Sequence, residues 1–542
     1  MFHSYRPCRK SKTQREVRKE VANLTVNKEP QINPWLIALS VVLPTFMEVL
    51  DTSIASVALP YIAGSLSAST NEATWVLTSY LVANAIVLPV SGWCAQRFGR
   101  KRFLMTCIVI FTIASFACGA STSLAMILLA RAVQGAGGGA LQPISQAIML
   151  ESFPEEKRGQ AMAVYGLGVV VAPILGPTLG GYLTDAYSWR WTFYINIPIG
   201  ILALIMISRF VRDPDYIRDA KPGPLDGIGL GLLATWLGCL QIVLDKGQED
   251  DWFGATWIRW ATAILIVSFV AFIWRMLSEK RPLVNLRVFL HRNFALGCIL
   301  IALFGGCIYG LITLLPLFYQ EVMLYPAFNA GIAVSPRGLG AIVAMPIIGI
   351  LTSKMDNRWL IGGGFLIFGI CGIWFGEVNL AISPWSFIWA IVLSGFGSGM
   401  VFVPLSTTTV AGLSNQEMGN ATGLYNLVRN VGGSIGISIT NTLLARHSQL
   451  HQANLVQDLT PSGRVYQQQL NHGISQLGPK IGTAMAGAGA LGRMYSSLNV
   501  QALLLSYVDD FRYLALASFG CLPVVFLLRK AVRQKGAVIH AE

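Results

Sequence analysis

Long apolar segments recur along most of the chain, separated by short charged or Gly/Pro-rich stretches. Each segment approaches the roughly 20 residues that an α-helix needs to cross a bilayer. Dividing the chain at those stretches predicts about fourteen transmembrane spans, and the predicted fold class is an all-α polytopic membrane protein. The predicted spans are 35–57, 75–95, 103–120, 124–149, 161–184, 191–209, 226–244, 257–276, 294–318, 331–352, 360–378, 385–411, 421–443 and 510–529.

Composition agrees with this pattern. Of the 542 residues, 54% are hydrophobic and only 12% are charged, which excludes a soluble enzyme of ordinary composition. The formal charge of +13 would suggest nucleic-acid binding in a soluble chain. Here 29 of the 40 Lys and Arg residues fall on one side of the predicted membrane, so the basic surplus reports topology instead. The positive-inside rule, by which Lys and Arg concentrate on the cytoplasmic side, predicts that both termini are cytoplasmic. The charge therefore gives no support for a nucleic-acid partner.

Two parts of the chain repeat each other at an offset of 260 residues. The glycines 135, 137 and 139 fall on the glycines 395, 397 and 399. Two six-helix halves with substrate between them are a common design of secondary transporters. The predicted organisation is a basic cytoplasmic tail (1–34), an N-terminal six-helix bundle (35–212), two extra transmembrane helices (225–277), a C-terminal six-helix bundle (294–529) with a long periplasmic loop (445–508), and a cytoplasmic tail (530–542).

Two carboxylates lie inside the first apolar span, Glu48 and Asp51. Burying an ionised side chain there costs on the order of 3 kcal/mol on insertion scales. The two residues are three apart and share a helix face. Desolvation and mutual repulsion favour the neutral form, so either group could take up and release a proton. The alternatives are a neutral acid that locks neighbouring helices, a hydrated pair near the interface, or, for Glu48, binding of a substrate cation.

Three arginines lie well away from the ends of their predicted spans. Arg131 must find acceptors in its apolar surroundings, and pairing with a first-span acid would make it either a switch that senses protonation or a permanent structural ion pair. Arg429 and Arg337 could act similarly in the second half, although Arg337 is close to a predicted interface and could extend its side chain to it. We predict proton coupling by Asp51, Glu48 and Arg131.

Predicted substrate contacts are polar residues of the spans. The substrate candidates are Glu48, Asp51, Gln134, Gln142 and Asn426.

The sequence gives no support for metal binding, a histidine proton relay or enzymatic catalysis. Cysteines are scattered and histidines are placed in tails or loops, so we predict no metal site and no histidine proton relay. Motifs for ATP binding, zinc peptidases and serine hydrolases are missing from the sequence, so we expect no cofactor and no enzymatic activity.

Two glycine-containing segments are candidate conformational motifs. The segment 92–102 is a basic turn that either pins helices together in one conformation or only sets topology. The segment 173–181 combines small residues that allow close helix approach with prolines that bend the helix. The candidate residues of these motifs are Gly92, Gln96, Arg97, Gly99, Arg100, Pro173, Gly176, Pro177, Gly180 and Gly181.

Four ordered segments resemble motifs of the major facilitator superfamily. They are residues 50–60 (LDTSIASVALP), the loop 92–102, Arg131-x-x-Gln134-Gly135 and the segment 172–181. Together they resemble the 14-helix drug:proton antiporter branch, and most closely its EmrB type. The likeness extends over about residues 35–530. Two departures are Gln96, where the loop commonly has Asp, and Ser56, where the first-span motif commonly has Asn. Gln96 leaves a charge-based latch in doubt, but it can still hydrogen-bond.

The resemblance implies proton-driven export of hydrophobic, often cationic compounds by alternating access. It implies that Asp51 is the protonation site, that Arg131 is a coupling residue and that 173–181 is the antiporter motif. It further implies an inner-membrane location, with a periplasmic adaptor (EmrA-like) and an outer-membrane channel (TolC-like) as partners. Alternative functions are export of an endogenous lipid, siderophore or metabolite, and a non-transporting membrane scaffold; the scaffold gives no reason for buried charges.

Overall fold

The computed structural model describes residues 33–218, 223–280, 282–380 and 383–529, and its secondary structure within these residues is helical. Except for residues 33 and 34, the predicted tails 1–34 and 530–542 lie outside the described residues. The first half contains α1 (Pro34–Ser65), α2 (Thr70–Phe98), α3 (Arg100–Gly119), α4 (Leu124–Gly138), α5 (Leu141–Ser152), α6 (Arg158–Ala186), α7 (Trp191–Tyr194) and α8 (Asn196–Phe210).

The remaining helices follow in the same order along the chain. A short linker helix, α9 (Asp215–Arg218), precedes the extra pair α10 (Gly227–Lys246) and α11 (Thr256–Ser278). The second half contains α12 (Arg292–Leu317), α13 (Ala327–Val334), α14 (Pro336–Leu351), α15 (Asn357–Phe375), α16 (Ile388–Thr409), α17 (Asn415–Asp458), α18 (Arg464–Ile481) and α19 (Thr483–Phe526).

The described residues contain 12 helical regions that are long and apolar enough to cross a membrane. They coincide with the first twelve predicted spans. The last two predicted spans, 421–443 and 510–529, lie within or overlap α17 and α19, helices of 44 residues each that are not among the 12. The polytopic helical fold is therefore present, and the count of fourteen spans stays a prediction.

Helix packing repeats between the halves. In the first half α1 packs on α6, α2 on α4 and α3 on α8; in the second half the corresponding pairs are α12 with α17, α14 with α16 and α15 with α19. The halves meet where α6 packs on α14 and where α2 packs on α17. Because α17 is the counterpart of α6 and α14 is the counterpart of α2, the two contacts are equivalent. The extra helix α10 packs on both α2 and α17. A central site between the halves is therefore lined by related helices.

Three predicted spans are each built from two consecutive helices. The break between α4 and α5 follows the run 137–139 of three glycines, which are poor helix formers. In the other two cases a proline lies in the first turn of the new helix: Pro198 in α8 and Pro336 in α14. Proline is tolerated there because the first-turn N–H groups have no partner within the helix.

The segment 445–508, predicted as a long loop, is mostly helical. α17 and α19 continue beyond the predicted spans, and α18 connects them, packing on α19 through Leu477, Ala486 and Ala490. The prediction that the histidines lie in tails or loops is therefore wrong for His447, His451 and His472, which are on α17 and α18. The polar composition of the segment gave no apolar pattern from which these helices could be predicted, because packing between helices stabilises them.

Candidate functional site

Asp51 and Arg131 form a buried ion pair between α1 and α4. The Arg131 Nη1 lies 2.6 Å from the Asp51 Oδ2, and the side chains are 0% and 1% exposed, respectively. The Arg131 Nε donates to the Val76 carbonyl at 3.1 Å, and its guanidinium lies over the Tyr80 ring at 4.3 Å. Removing one partner of such a pair destabilises a protein by about 3–5 kcal/mol, because the remaining charge is buried alone. The pair therefore holds α1, α2 and α4 together.

The second carboxylate oxygen of Asp51 is also fully engaged. Its Oδ1 accepts from the Gln134 Nε2 at 2.8 Å and from the Asn196 Nδ2 at 2.6 Å. Both amides also donate to the Ser115 hydroxyl, at 3.2 Å and 2.9 Å. The network therefore joins α1, α3, α4 and α8 around one carboxylate. Three donors, from Arg131, Gln134 and Asn196, therefore face the ionised form of Asp51.

Glu48 belongs to a separate network on the same helix. Its Oε1 accepts from the Asn84 Nδ2 at 3.0 Å and from the Tyr80 hydroxyl at 3.4 Å, and its Oε2 accepts from Gln142. Glu48 is therefore tied to α2 and α5, whereas Asp51 is tied to α4 and α8. The two acids share a face of α1 but accept from different side chains. Tyr80 links the two networks, because its hydroxyl donates to Glu48 and its ring lies under the Arg131 guanidinium.

Gln142 connects this network to the second half. While its amide nitrogen donates to Glu48, its Oε1 accepts from the Arg429 Nη2 on α17. A second bond between the halves runs from the Asn426 Nδ2 to the Gln146 Oε1 at 2.6 Å. Glu48 is therefore linked through Gln142 to Arg429 across the interface between the halves.

A cavity of about 30 Å³ lies between the halves, beside these networks. Its wall includes Phe304, Ile308 and Phe402 together with the buried arginines Arg337 and Arg429. Of the predicted substrate contacts, Glu48, Asp51, Gln134, Gln142 and Asn426 are buried in the networks and do not line this cavity. Their role as substrate contacts stays a prediction.

The segment 173–181 lies against α1 at the level of the ion pair. A side-chain carbon at Gly176 would overlap Ser53, whose hydroxyl donates to the Pro173 carbonyl at 3.0 Å. At Gly180 the added carbon would come within 3.3 Å of the Ile54 carbonyl, and at Gly181 it would meet no atom within 4 Å. Close approach of α6 to α1 therefore depends mainly on Gly176. Pro177 of the same segment lies against the second half, where it meets Gly331 at the start of the tenth predicted span.

We expect Gly176→Ala to destabilise the protein by about 1–3 kcal/mol, because α6 must move away from α1 to admit the methyl group. The matched control is Gly181→Ala, on the same helix and five residues away, which should change stability by less than about 0.5 kcal/mol. Thermal unfolding of both purified variants measures the difference. Equal melting temperatures for the two variants would contradict the packing described here.

The basic turn 92–102 closes one end of the bundle, where α2 ends and α17 begins; we call this the basic end. A side-chain carbon at Gly92 would come within 2.9 Å of the Gly419 backbone, and the Gln96 Nε2 donates to the Gln416 carbonyl at 3.3 Å. Gln96 therefore bridges the halves without a charge. Gly99 adopts a left-handed φ of 84° between α2 and α3, and the Arg97 side chain is exposed.

Arg100 anchors this turn within the first half. Its Nη1 lies 2.6 Å from the Glu151 Oε2, and both side chains are buried. The Tyr216 hydroxyl donates to the same oxygen at 2.5 Å, and burial together with this bond raises the pKa of Tyr216 well above its usual range. Arg100, Glu151 and Tyr216 thus tie the end of α5 to the linker after α8.

The helical fold, the repeated packing and the buried acid–arginine network agree with a comparison of the sequence. A family model described as Major Facilitator Superfamily matches residues 41–437. The chain belongs to the major facilitator superfamily. Within this superfamily it is 40% identical to the multidrug export protein EmrB of Escherichia coli K12 over 426 residues, which is 78% of this chain and 82% of that protein.

Two further comparisons extend over more of the chain. The fatty acid resistance protein FarB of Neisseria gonorrhoeae is 35% identical over 503 residues, which is 92% of this chain and 97% of FarB. The crystal structure of the human organic anion transporter MFSD10 superposes with a TM-score of 0.57 at 15% identity, covering 92% of this chain and 100% of that one. The last comparison shows that the superfamily fold is shared.

Several polar residues of these buried networks were not singled out by the sequence. They are Asn196, Tyr80, Asn84 and Ser115. The sequence feature that could have identified two of them is an isolated amide in an apolar span, since a buried amide requires a hydrogen-bond partner. Asn84 and Asn196 both satisfy that criterion.

Proposed function

We propose that this chain is a proton-driven antiporter that exports hydrophobic or amphipathic compounds, including drugs, by alternating access. The observation that carries the proposal is the buried Asp51–Arg131 pair and its connection to four helices. The similarity to EmrB, a multidrug export protein, supports the class of substrate. Transport of a small molecule, and not a chemical reaction, is the activity that such a network serves.

The proposed cycle begins when a proton neutralises Asp51. Arg131 then loses its counter-charge, and the bonds from Gln134 and Asn196 no longer face an anion. The helices α4 and α8 rearrange relative to α1, and release of the proton restores the pair. One proton moving inward through 100 mV supplies about 2.3 kcal/mol, enough to concentrate a neutral solute several-fold.

Substrate passage requires the halves to separate, because a cavity of about 30 Å³ holds only one or two water molecules. Drug-sized ligands occupy pockets of about 300–1,000 Å³. In the proposed cycle the contacts of Gly92 and Gln96 at the basic end break to admit substrate. The chain Glu48–Gln142–Arg429 then couples the state of α1 to the second half.

The proposed location is the inner membrane, with the basic end and both termini in the cytoplasm. The excess of Lys and Arg on that side supports this orientation. α17, α18 and α19 would then extend on the periplasmic side, where an EmrA-like adaptor leading to a TolC-like channel would meet the transporter. The resemblance to EmrB-type permeases supports these partners.

A second candidate function is export of an endogenous lipid-like compound, with drugs as incidental substrates. The observation that favours it is the similarity to FarB, a fatty acid resistance protein, over 92% of this chain. The same buried network would drive either activity, so the two candidates differ in substrate and not in coupling.

Proteoliposomes with an imposed pH gradient distinguish these candidates. Uptake of a panel of water-soluble lipophilic drugs is compared with uptake of dodecanoate, with and without a protonophore. Gradient-dependent accumulation of the drugs supports the first function, and accumulation of dodecanoate alone supports the second. Accumulation that persists unchanged in the presence of the protonophore would contradict proton coupling in both.

A further inference from the structure

Within the described part of the chain, Arg337 is a buried cation without a hydrogen-bond partner. Its side chain is 1% exposed, and none of its three guanidinium nitrogens has a hydrogen-bond partner among the described residues. The expectation that it extends to a membrane interface is wrong, because the side chain lines the cavity between the halves. Its nearest aromatic contact is the Phe368 ring, 6.0 Å from the guanidinium carbon.

Close glycine contacts align the two halves and show which residue of α12 occupies the position of the buried acid in α1. On the acid-bearing helix and its counterpart, the contacts are Ser53 with Gly176 and Gly306 with Gly436. Asp51 lies two residues before Ser53, and the residue two before Gly306 is Phe304. The position of the buried acid in α1 is therefore occupied in α12 by an apolar ring that lines the cavity.

The same comparison of glycine contacts identifies the residue of the first half that corresponds to Arg337. A side-chain carbon at Gly135 would overlap the Tyr80 backbone, and one at Gly395 would overlap the Arg337 backbone. Arg337 thus occupies in α14 the position that Tyr80 occupies in α2. In the first half a buried arginine faces an acid, whereas in the second half a buried arginine faces apolar side chains.

A buried guanidinium requires a counter-charge, because removing it from water is costly. Among the described residues nothing supplies one to Arg337, and no carboxylate lines the cavity. Arg429, on α17, lines the same cavity; its Nη2 donates to Gln142, and its Nη1 has no partner among the described residues. The cavity therefore combines two positive groups with apolar walls from Phe304 and Phe402, an arrangement that matches an anion with an apolar body.

We propose that Arg337 and Arg429 form an anion subsite of the central cavity, and that the site, enlarged when the halves separate, takes organic carboxylates with a compact apolar body. The subsite deepens the proposed export function by giving the charge of the substrate. It differs from the expectation of hydrophobic, often cationic substrates, since two arginines disfavour a cation in the same cavity. A guanidinium can bind both oxygens of a carboxylate at once.

The test is binding of 1-naphthoate to the purified full-length protein in nanodiscs, compared with 1-naphthamide and 1-naphthylmethylammonium. Wild type should bind the carboxylate at least about 10-fold more tightly than the amide, the usual effect of a charged hydrogen bond. Arg337→Lys, which keeps the charge, should retain the preference. Arg337→Met should reduce it to less than about 3-fold while the affinity for the amide is unchanged.

A second readout separates binding from folding. Because Arg337 is unpartnered in the absence of ligand, Arg337→Met should raise the melting temperature of the ligand-free protein. A lower melting temperature, an unchanged carboxylate preference in Arg337→Met, or a wild-type preference for the ammonium compound would each overturn the proposal. Binding is measured without a proton gradient, so failure of antiport would leave this result standing and failure of the subsite would leave antiport standing.

Discussion

Replacing Asp51 by Asn should abolish proton-driven accumulation of substrate while leaving exchange of substrate for substrate. Asparagine keeps the shape of the side chain and an oxygen that can accept from Gln134 or Asn196, but it cannot bind or release a proton in the cycle. We expect accumulation under a pH gradient to fall by at least about 100-fold, to the level of empty liposomes. Radiolabelled substrate uptake in proteoliposomes measures both modes.

The control for this variant is Asp51→Glu, which keeps a titratable group on the same helix face. It should retain measurable gradient-dependent transport, whereas Asp51→Asn should retain only exchange. Accumulation by Asp51→Asn at the wild-type rate would show that Asp51 is structural and would make Glu48 the leading proton site.

Replacing Arg131 by Met should be the most destabilising single change in the site. It leaves Asp51 buried without its counter-charge, for an expected loss of about 3–5 kcal/mol. Adding Asp51→Asn to Arg131→Met should recover most of that loss, because the double variant contains no unpaired buried charge at this position. Melting temperatures of the two single variants and the double variant measure the coupling.

Transport separates a switch from a permanent ion pair. If the pair only holds helices together, the double variant should regain both stability and transport. In the proposed cycle it regains stability alone, and gradient-driven accumulation stays at the level of empty liposomes. A double variant that transports at the wild-type rate would contradict a coupling role for Arg131.

The sequence predicted the central pair because charge in an apolar span is visible without a structure. Asp51 and Arg131 each violate the composition of their spans, and each therefore requires a partner. Nothing in the sequence specified that they contact each other, since a residue separation of 80 carries no geometric information. The need of a buried guanidinium for an acceptor raised the pairing as a hypothesis, and the structure provides the distance.

The partners of the pair were harder to predict. Asn196 is one of several amides in apolar or mixed stretches, and its contact with Asp51 depends on how α8 packs on α1. Arg337 was interpreted from its position near the start of a predicted span, but its side chain is buried and lines the cavity between the halves. Short-range patterns predict helices well and do not predict which face of each helix another element covers.

The extended helices show a second limit. The segment 445–508 has the polar, Gln-rich and Gly/Ala-rich composition of a connection, so apolar periodicity ended the predicted spans too early. The helices continue where α17 and α18 each pack on α19. Such stabilisation is a tertiary effect, and its sequence signal is spread over separate helices.

Proton release on substrate binding tests the central claim most directly, because it requires neither a gradient nor a complete transport cycle. Purified protein in weakly buffered detergent solution is mixed with a substrate identified by transport, and a pH indicator records protons released. The account predicts release by wild type that is lost in Asp51→Asn, with substrate affinity retained within about 3-fold. Equal release by wild type and Asp51→Asn would contradict the assignment of Asp51 as the site that exchanges a proton for substrate.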